Sequence, residues 1–530
     1  MATGEQVTEQ GVKLGPQTPA ARRRARALPE EAPEPSDERI GPATPIAREL
    51  AEVEEVAPEA AQAEAGSAEV EVETTEFEVE TAEAEVEAPQ PAPPAPRLGR
   101  PSRPPPGAAL AALVTLGSSL AVLLYLVSAV GSGLGGQPLP EADFDATPSL
   151  REVAPGGRIL LSGSGAPANA RLTLETRTPG GEWRAAGQAT SDEDGGFRLS
   201  GRVAAAPGTV MVRARASVEA TSTPMGLTVR PLRLSSVGDI NLGDVPGAHI
   251  LAEGPRYPWK SVGRRLRSAD IAFGNLECAV SRRGTPFEKL YNFRGTPRAL
   301  RGLARHSGID VLNLANNHAG DYGPVALLDT VRGIERLGMK AVGAGRNLRR
   351  ALEPQVVERL GLRVAFVGFS EVAPIEFAAT PDSPGTAWAT PEAVTRAVHR
   401  ARRRADVVVA TFHWGIEKAP YETGQQQALA AAAADAGAQL VIGAHPHVLQ
   451  PLRRQGSALV AYSLGNFVFG AVSEGTTATG ILETDLTTEG VAKARWRAGE
   501  IAAGRPLLKR SRPRRLPVGD TDAMAGGVQL

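Results

Sequence analysis

From Ala108 to Val130 the chain carries no charged side chain and is rich in Leu, Ala and Val. As a helix, a run of this length crosses the roughly 30 Å hydrocarbon layer of a bilayer. It therefore divides the chain into parts that meet different solvents. It begins too late for a cleavable signal peptide, which lies within the first roughly 30 residues. Arg97, Arg100 and Arg103 precede it, whereas 131–150 contains no Lys or Arg but holds Glu141, Asp143 and Asp145. The positive-inside rule then places the N-terminus in the cytoplasm and everything after Gly131 outside. The expected topology is a single-pass cell-membrane protein with extracytoplasmic C-terminal domains.

Residues 1–107 read as a disordered cytoplasmic tail. Arg22, Arg23, Arg24 and Arg26 form a basic cluster, and no Lys or Arg occurs between Arg48 and Arg97, where Glu recurs densely. Residues 69–87 alternate Glu with apolar residues, but a strand of that pattern would line one face with like charges. A solvated acidic linker followed by a stiff Pro-rich piece is the better reading. The formal net charge of −1 averages these opposed segments and leaves no basic excess, so nucleic acid is not an expected partner. Cys278 is the sole cysteine, which excludes an intrachain disulfide and a cysteine-based zinc site.

After a linker, 131–146, the residues 147–230 show five short runs of alternating apolar and polar residues. These are Arg158–Ser162, Ala170–Thr176, Trp183–Ala189, Phe197–Val203 and Thr209–Ala216, separated by Gly- and Pro-bearing turns. They predict a small β-sandwich of immunoglobulin-like kind. From Leu232 short apolar strands alternate with the helical stretches Pro258–Arg267, Pro324–Leu337, Pro391–Arg404 and Gly424–Ala436. That pattern gives an α/β domain over 232–505, with strand character returning at 481–502 and a flexible tail at 506–530.

Four of the seven histidines fall in three segments, each at the C-terminal end of an expected strand: Asn316-Asn317-His318, His413-Trp414-Gly415 and His445-Pro446-His447. Asp239 and Glu277 occupy similar strand ends. Ligands bind at the C-terminal ends of strands in α/β sheets, because the loops converge there. Paired divalent cations need a bridging carboxylate and terminal His, Asn and Asp donors. On an extended segment, His445 and His447 would point to one side. Taken singly, Asp239 reads as a cap or turn residue and Cys278 as a small packed side chain. His306 and His399 read as solvated helix residues, and His249 is unassigned.

The ordered run of Gly238-Asp239, Gly274-Asn275-Leu276-Glu277, Asn316-Asn317-His318 with Asp321, His413-Trp414-Gly415 with Glu417, Gly443-Ala444-His445-Pro446-His447 and Tyr462-Ser463-Leu464-Gly465-Asn466-Phe467 resembles the CapA (poly-γ-glutamate synthesis) family. That family is similar to calcineurin-like metallophosphoesterases. The resemblance implies a four-layer α-β-β-α domain with two divalent ions (Mn, Zn or Fe). Asp239 and His447 would bind the first ion, Asn317, His413 and His445 the second, and Glu277 would bridge. His318 would be the general acid, oriented by Asp321, and a bridging hydroxide the nucleophile. Asn241, Asn275, Arg294, Glu417 and Asn466 would face the substrate, with Arg294 pairing an anion. Where the wider superfamily has Asp-x-His, this chain has Asn241, a poorer ligand, which implies a weaker first position.

The expected function is a membrane-anchored, metal-dependent hydrolase in capsule or cell-envelope polymer biosynthesis. Its substrate would be an anionic polymer or a phosphoester, and proteins of a polymer synthase complex are possible partners. The alternative is a non-catalytic assembly or export factor for an anionic surface polymer.

Overall fold

Between Arg158 and Val229, apolar residues at every second position turn inward from two facing sheets. In the first, Arg158–Gly163 pairs antiparallel with Phe197–Arg202 and with the short strand Thr147–Pro148. The second runs in the order Glu152–Val153, Met225–Val229, Gly208–Arg215, Arg171–Arg177, Arg184–Thr190. Ile159, Leu161, Leu172, Leu174, Leu199, Val210 and Val212 form the shared core. Its buried acid, Glu175, is held by Arg213 at 2.9 Å and Arg215 at 2.6 Å. The sandwich is bonded to the following region through Arg158 N–H to the Gly361 carbonyl (2.8 Å) and Arg202 to Asp406 (2.5 Å).

The computed structural model describes residues 143–516 apart from 219, 373 and 471–474, all within one unit spanning 138–530. The expected tail 1–107, the apolar run 108–130, most of the linker and residues 517–530 lie outside the described residues. Among the described residues no helix is long and apolar enough to cross a membrane.

The α/β region comprises β1 (Leu232–Ile240), α1 (Asp244–Glu253), β2 (Ile271–Leu276), α2 (Pro297–His306), β3 (Val311–Asn313), α3 (Gly323–Arg336), β4 (Lys340–Val342), β5 (Gln355–Arg359) and β6 (Leu362–Ser370). It continues with α4 (Pro391–Arg402), β7 (Val407–His413), α5 (Gly424–Asp435), β8 (Leu440–Ala444), β9 (Leu452–Gln455), β10 (Ala458–Ala461), β11 (Asn466–Val468), β12 (Ala478–Thr487), β13 (Gly490–Ala502) and β14 (Arg505–Leu508). One sheet has the order β4-β3-β2-β1-β12-β13-β14, with β11 also pairing β1; the other runs β5-β6-β7-β8-β10-β9. β1 to β4 are mutually parallel, as are β6, β7, β8 and β10.

Side-chain alternation sorts these strands into layers. Leu362, Val364 and Phe366 of β6 join the core between the two sheets, where the Phe366 ring stacks on Phe273 with centroids 5.8 Å apart. Ala365, Val367 and Phe369 face the other way, under α4 and α5. Val237 and Leu312 pack outward with residues of α1, α2 and α3. Each large side chain buried this way contributes about 1.5–3 kcal/mol. The helices start where the sequence caps them: Thr296, Thr390 and Thr423 accept backbone N–H bonds from Ala299, Ala393 and Gln426.

The expected helix Pro258–Arg267 is instead a 3₁₀ turn, Tyr257–Trp259, and a four-residue helix, Gly263–Leu266. α1 and α2, not expected from the sequence, complete that layer. Because all parallel strands of a sheet end on one side, Asp239, His413 and the segments after β2 and β8 converge. Close approach is built in at Gly238, where a Cβ would lie 1.8 Å from the Gly465 carbonyl oxygen.

Candidate metal centre

Each donor reaches the centre from a strand end. Asp239 lies in β1 and His413 closes β7, while Glu277, Asn317, His445 and His447 stand just beyond β2, β3 and β8. Asp239, Glu277 and His413 have no exposed surface, and His445 and His447 are buried too. His445 and His447 do not sit on an extended segment, as the spacing argument supposed. Their φ angles are 97° and 60°, in the left-handed region that costs a non-glycine residue about 1–3 kcal/mol. The bend after β8, rather than strand alternation, turns both imidazoles inward.

Around His413 Nε2 lie Asn317 Oδ1 at 2.8 Å, His445 Nδ1 at 3.1 Å and Glu277 Oε1 at 3.4 Å. Two imidazole nitrogens bound tetrahedrally to one ion, each about 2.0–2.1 Å from it, are about 3.3 Å apart. This spacing therefore fits a shared ion. On the other side of Glu277, its Oε1 lies 3.9 Å from His447 Nε2, and Asp239 Oδ2 lies 3.5 Å from His447 Nδ1. The trios Glu277–His413–His445 and Asp239–Glu277–His447 each gather ligand atoms within 4.8 Å of one another, and they share Glu277. Neither carboxylate oxygen of Glu277 has a hydrogen-bond partner. A buried carboxylate without donors is costly, and divalent cations on its two sides relieve that cost, so the residues present fit metal.

Charge follows the same arrangement. Burial raises the Asp239 carboxyl above its usual range, and the neighbouring Glu277 raises it further. Burial also works against an ionised Glu277, but His447 and His413 outweigh it and hold that carboxyl below its range. Burial would lower His447, yet Glu277 and Asp239 push it up to about 10. Burial and the nearby His413 keep His445 well below its ordinary value, as a neutral ligand requires. In the metal-free chain, His447 thus carries the compensating positive charge.

Several residues expected at the substrate stand behind the ligands instead. Asn275 Nδ2 donates to Asp239 Oδ1 (2.8 Å) and lies 3.1 Å from His413 Nδ1, and its own oxygen accepts from Asn313 (2.8 Å). Asn466 Oδ1 accepts from His447 Nδ1 at 2.8 Å, leaving Nε2 turned toward Glu277. Asn241 is fully buried, and its side-chain oxygen accepts from Gly243 N–H at 2.8 Å. Arg294 does not line the cleft: its guanidinium lies 3.8 Å over the Tyr322 ring and donates to the Arg283 and Gly284 carbonyls. Glu417 is exposed and groups with His445 and His447 as a third set of ligand atoms.

A cleft of about 1050 Å³ opens over Asn317, His318 and His447. His318 Nδ1 lies 2.8 Å from Asp321 Oδ2, which also accepts from Phe293 N–H at 2.6 Å. Asp321 is nearer to Nδ1 than the Lys289 ammonium at 3.2 Å, and a carboxylate only accepts, so Nδ1 carries the proton and Nε2 is the nitrogen left to exchange one. The Phe293 ring stacks on the imidazole with centroids 4.0 Å apart. Lys289, a loop residue the sequence did not mark, pairs with Asp321 Oδ1 at 2.6 Å and donates to the Asn317 carbonyl at 2.6 Å. Glu371, another residue not singled out beforehand, accepts from Gly415 N–H (2.8 Å), and burial raises its carboxyl.

Residues 233–471 match the family model described as "Bacterial capsule synthesis protein PGA_cap". The chain is 32% identical to "Capsule biosynthesis protein CapA" of Bacillus anthracis over 246 residues, 45% of this chain and 60% of that one. It is 34% identical to "PGA biosynthesis protein CapA" of Bacillus subtilis over 241 residues, 45% of this chain and 63% of that one. The chain thus covers less than two thirds of the length of either relative. The NAD nucleotidase of Haemophilus influenzae matches in structure over 54% of this chain and 53% of that one, with 10% identity and a TM-score of 0.29, too slight a likeness to carry an argument. Residues 233–471 thus match the capsule synthesis PGA_cap family model, and over that stretch the chain is similar to the CapA proteins.

Proposed function

We propose that the α/β domain is a divalent-metal-dependent hydrolase of a cell-envelope polymer, held outside the membrane by the helix expected at 108–130. One observation carries the metal reading: Glu277 is fully buried, neither of its oxygens has a hydrogen-bond partner, and it is shared by two ligand trios. Asp239, Glu277 and His447 would hold one ion, and Glu277, Asn317, His413 and His445 the other. Such ions supply Lewis-acid polarisation of a carbonyl or phosphoryl oxygen and water activated near neutral pH. Asn466 and Asn275 fix the faces that His447 and Asp239 present. His318, its tautomer set by Asp321, gives a proton at Nε2 to the departing oxygen or nitrogen. Lys289 pairs with Asp321 and holds it in place. The polymer link comes from the relatives' printed names, capsule for one and PGA for the other.

The test is elemental mass spectrometry on the purified full chain beside a His445→Ala, His447→Ala double variant, followed by hydrolysis assays with Mn²⁺ on an aryl phosphate and on envelope polymers. The expected result is about two ions per chain, lost in the variant, with turnover abolished by His318→Ala. A folded wild-type chain that takes up no Mn²⁺ or Zn²⁺ would overturn the metal reading. Metal uptake without turnover would favour the non-catalytic assembly reading; the printed name of a Mycobacterium tuberculosis relative, "Probable polyglutamine synthesis accessory protein", speaks of an accessory protein.

A further inference from the structure

The cleft over the centre has a charge pattern that poorly matches a polyanion. Its lining includes the carboxylates of Asp244, Glu288, Glu371, Glu376 and Glu417 against one lysine, Lys289, and the imidazoles of His318 and His447 at the floor. That lysine is already paired with Asp321 at 2.6 Å. Among the described residues none of the five carboxylates forms an ion pair, and Arg294, the cation expected to meet an anion, is bound to carbonyls outside the cleft. The mouth is also apolar. Val245, Leu290, Tyr291 and Ile375 line it while 41%, 85%, 65% and 53% exposed. Clustered exposed apolar side chains of this kind mark a binding surface. Trp388 and Phe293 add aromatic faces to the walls.

Floor and rim therefore ask for opposite things. The floor, with its histidines and a Glu277 that has no hydrogen-bond partner, is built for cations, which in turn attract one electron-rich group of a substrate. The rim repels further anions, and its carboxylates beside aromatic rings are the chemistry that recognises ammonium groups. We infer that the cleft takes an amine-bearing, partly apolar peptide, with its scissile carbonyl over the floor and its ammonium groups at the rim, and that it disfavours a chain bearing a carboxylate at every residue. This rests on reading the cleft as the substrate site of the proposed hydrolase, and it names the substrate class.

The test is calorimetric titration of the Mn²⁺-treated full chain with two acetylated tetrapeptides that share a central Phe and differ only in carrying two Lys or two Glu. An oligomer of γ-linked glutamate serves as a third probe. The Lys peptide should bind at least about ten-fold tighter than the Glu peptide, and raising the salt from low to high should shrink that gap. The Glu288→Lys, Glu376→Lys double variant should reverse the preference without changing metal content. Tighter binding of the Glu peptide or of the γ-glutamate oligomer, equal binding of both peptides, or no binding of either would overturn the inference. Metal content, measured on the same samples, separates this failure from failure of the metal reading. A chain without metal that still prefers the Lys peptide would keep the charge selection and lose the hydrolase.

Discussion

The sandwich and the α/β domain treat buried polar groups in opposite ways. In the sandwich, the buried Glu175 is matched by two arginines, and no buried side-chain atom of residues 143–231 lacks a partner among those described. In the α/β domain buried atoms without a hydrogen-bond partner gather, among them both oxygens of Glu277 and one of Glu371. Left-handed backbone at His445 and His447 adds strain to the same place. A region that only has to be stable satisfies its polar groups internally. A region that has to hold something leaves donors and acceptors open, and the surrounding packing offsets the cost.

The largest contrast should come from Glu277→Gln. Metal content by elemental analysis should fall at both positions, because both trios share this residue, while the metal-free fold persists. Glu175→Gln should leave metal untouched and lower stability by about 1–3 kcal/mol in denaturant titration, as two arginines lose their charged partner. Equal loss of metal in both variants would erase the distinction between the regions.

His318→Ala should lower turnover about 10²–10⁴-fold at unchanged metal content. Asn466→Ala should instead weaken metal affinity about 10–100-fold by releasing the His447 ring. If both variants acted through metal loss alone, the separation of proton donor from ligands would fail.

The pH response provides a finer measure. In the metal-free chain His447 is raised to about 10 from an ordinary value near 6.5. Its contribution to stability is then fully present below about pH 6.5 and is lost as pH rises through about 10. A bound cation takes the place of that proton. Metal binding at pH 7–8 should therefore release about one proton from His447, read by calorimetry in buffers of different ionisation enthalpy. The smallest effect should be at Cys278, whose thiol burial pushes up to about 12. It should resist thiol reagents in the native chain and react on unfolding.

Legibility followed the same division. The parallel strands were readable because a strand buried on both faces is a nearly continuous apolar run, as in Val407–Phe412. Helix α2 was missed although Thr296-Pro297 is a fair start signal, since its Arg-rich face masks the apolar stripe of Ala299, Leu300 and Leu303. The expected helix at Pro258–Arg267 shortened to two turns, since a pattern of apolar positions does not fix length. Donors were readable as residue types at strand ends, and Asp239, Glu277, Asn317, His413, His445 and His447 do converge. The division between substrate-facing and supporting residues was not readable. Asn275, Asn466 and Arg294 have side chains that suit either role, and only their neighbours decide between them.

What the sequence determined by itself is a matter of period and type: short apolar strands alternating with helices, His and carboxylate residues at strand ends, and no cysteine chemistry. These are properties of single segments, set by side-chain alternation and donor chemistry. Tertiary structure decided which donors share Glu277, which nitrogen of His318 and of His447 is free, and that five carboxylates ring the cleft. Those are relations between residues as far apart as Asp239 and Asn466, and no local pattern encodes a distance across two sheets.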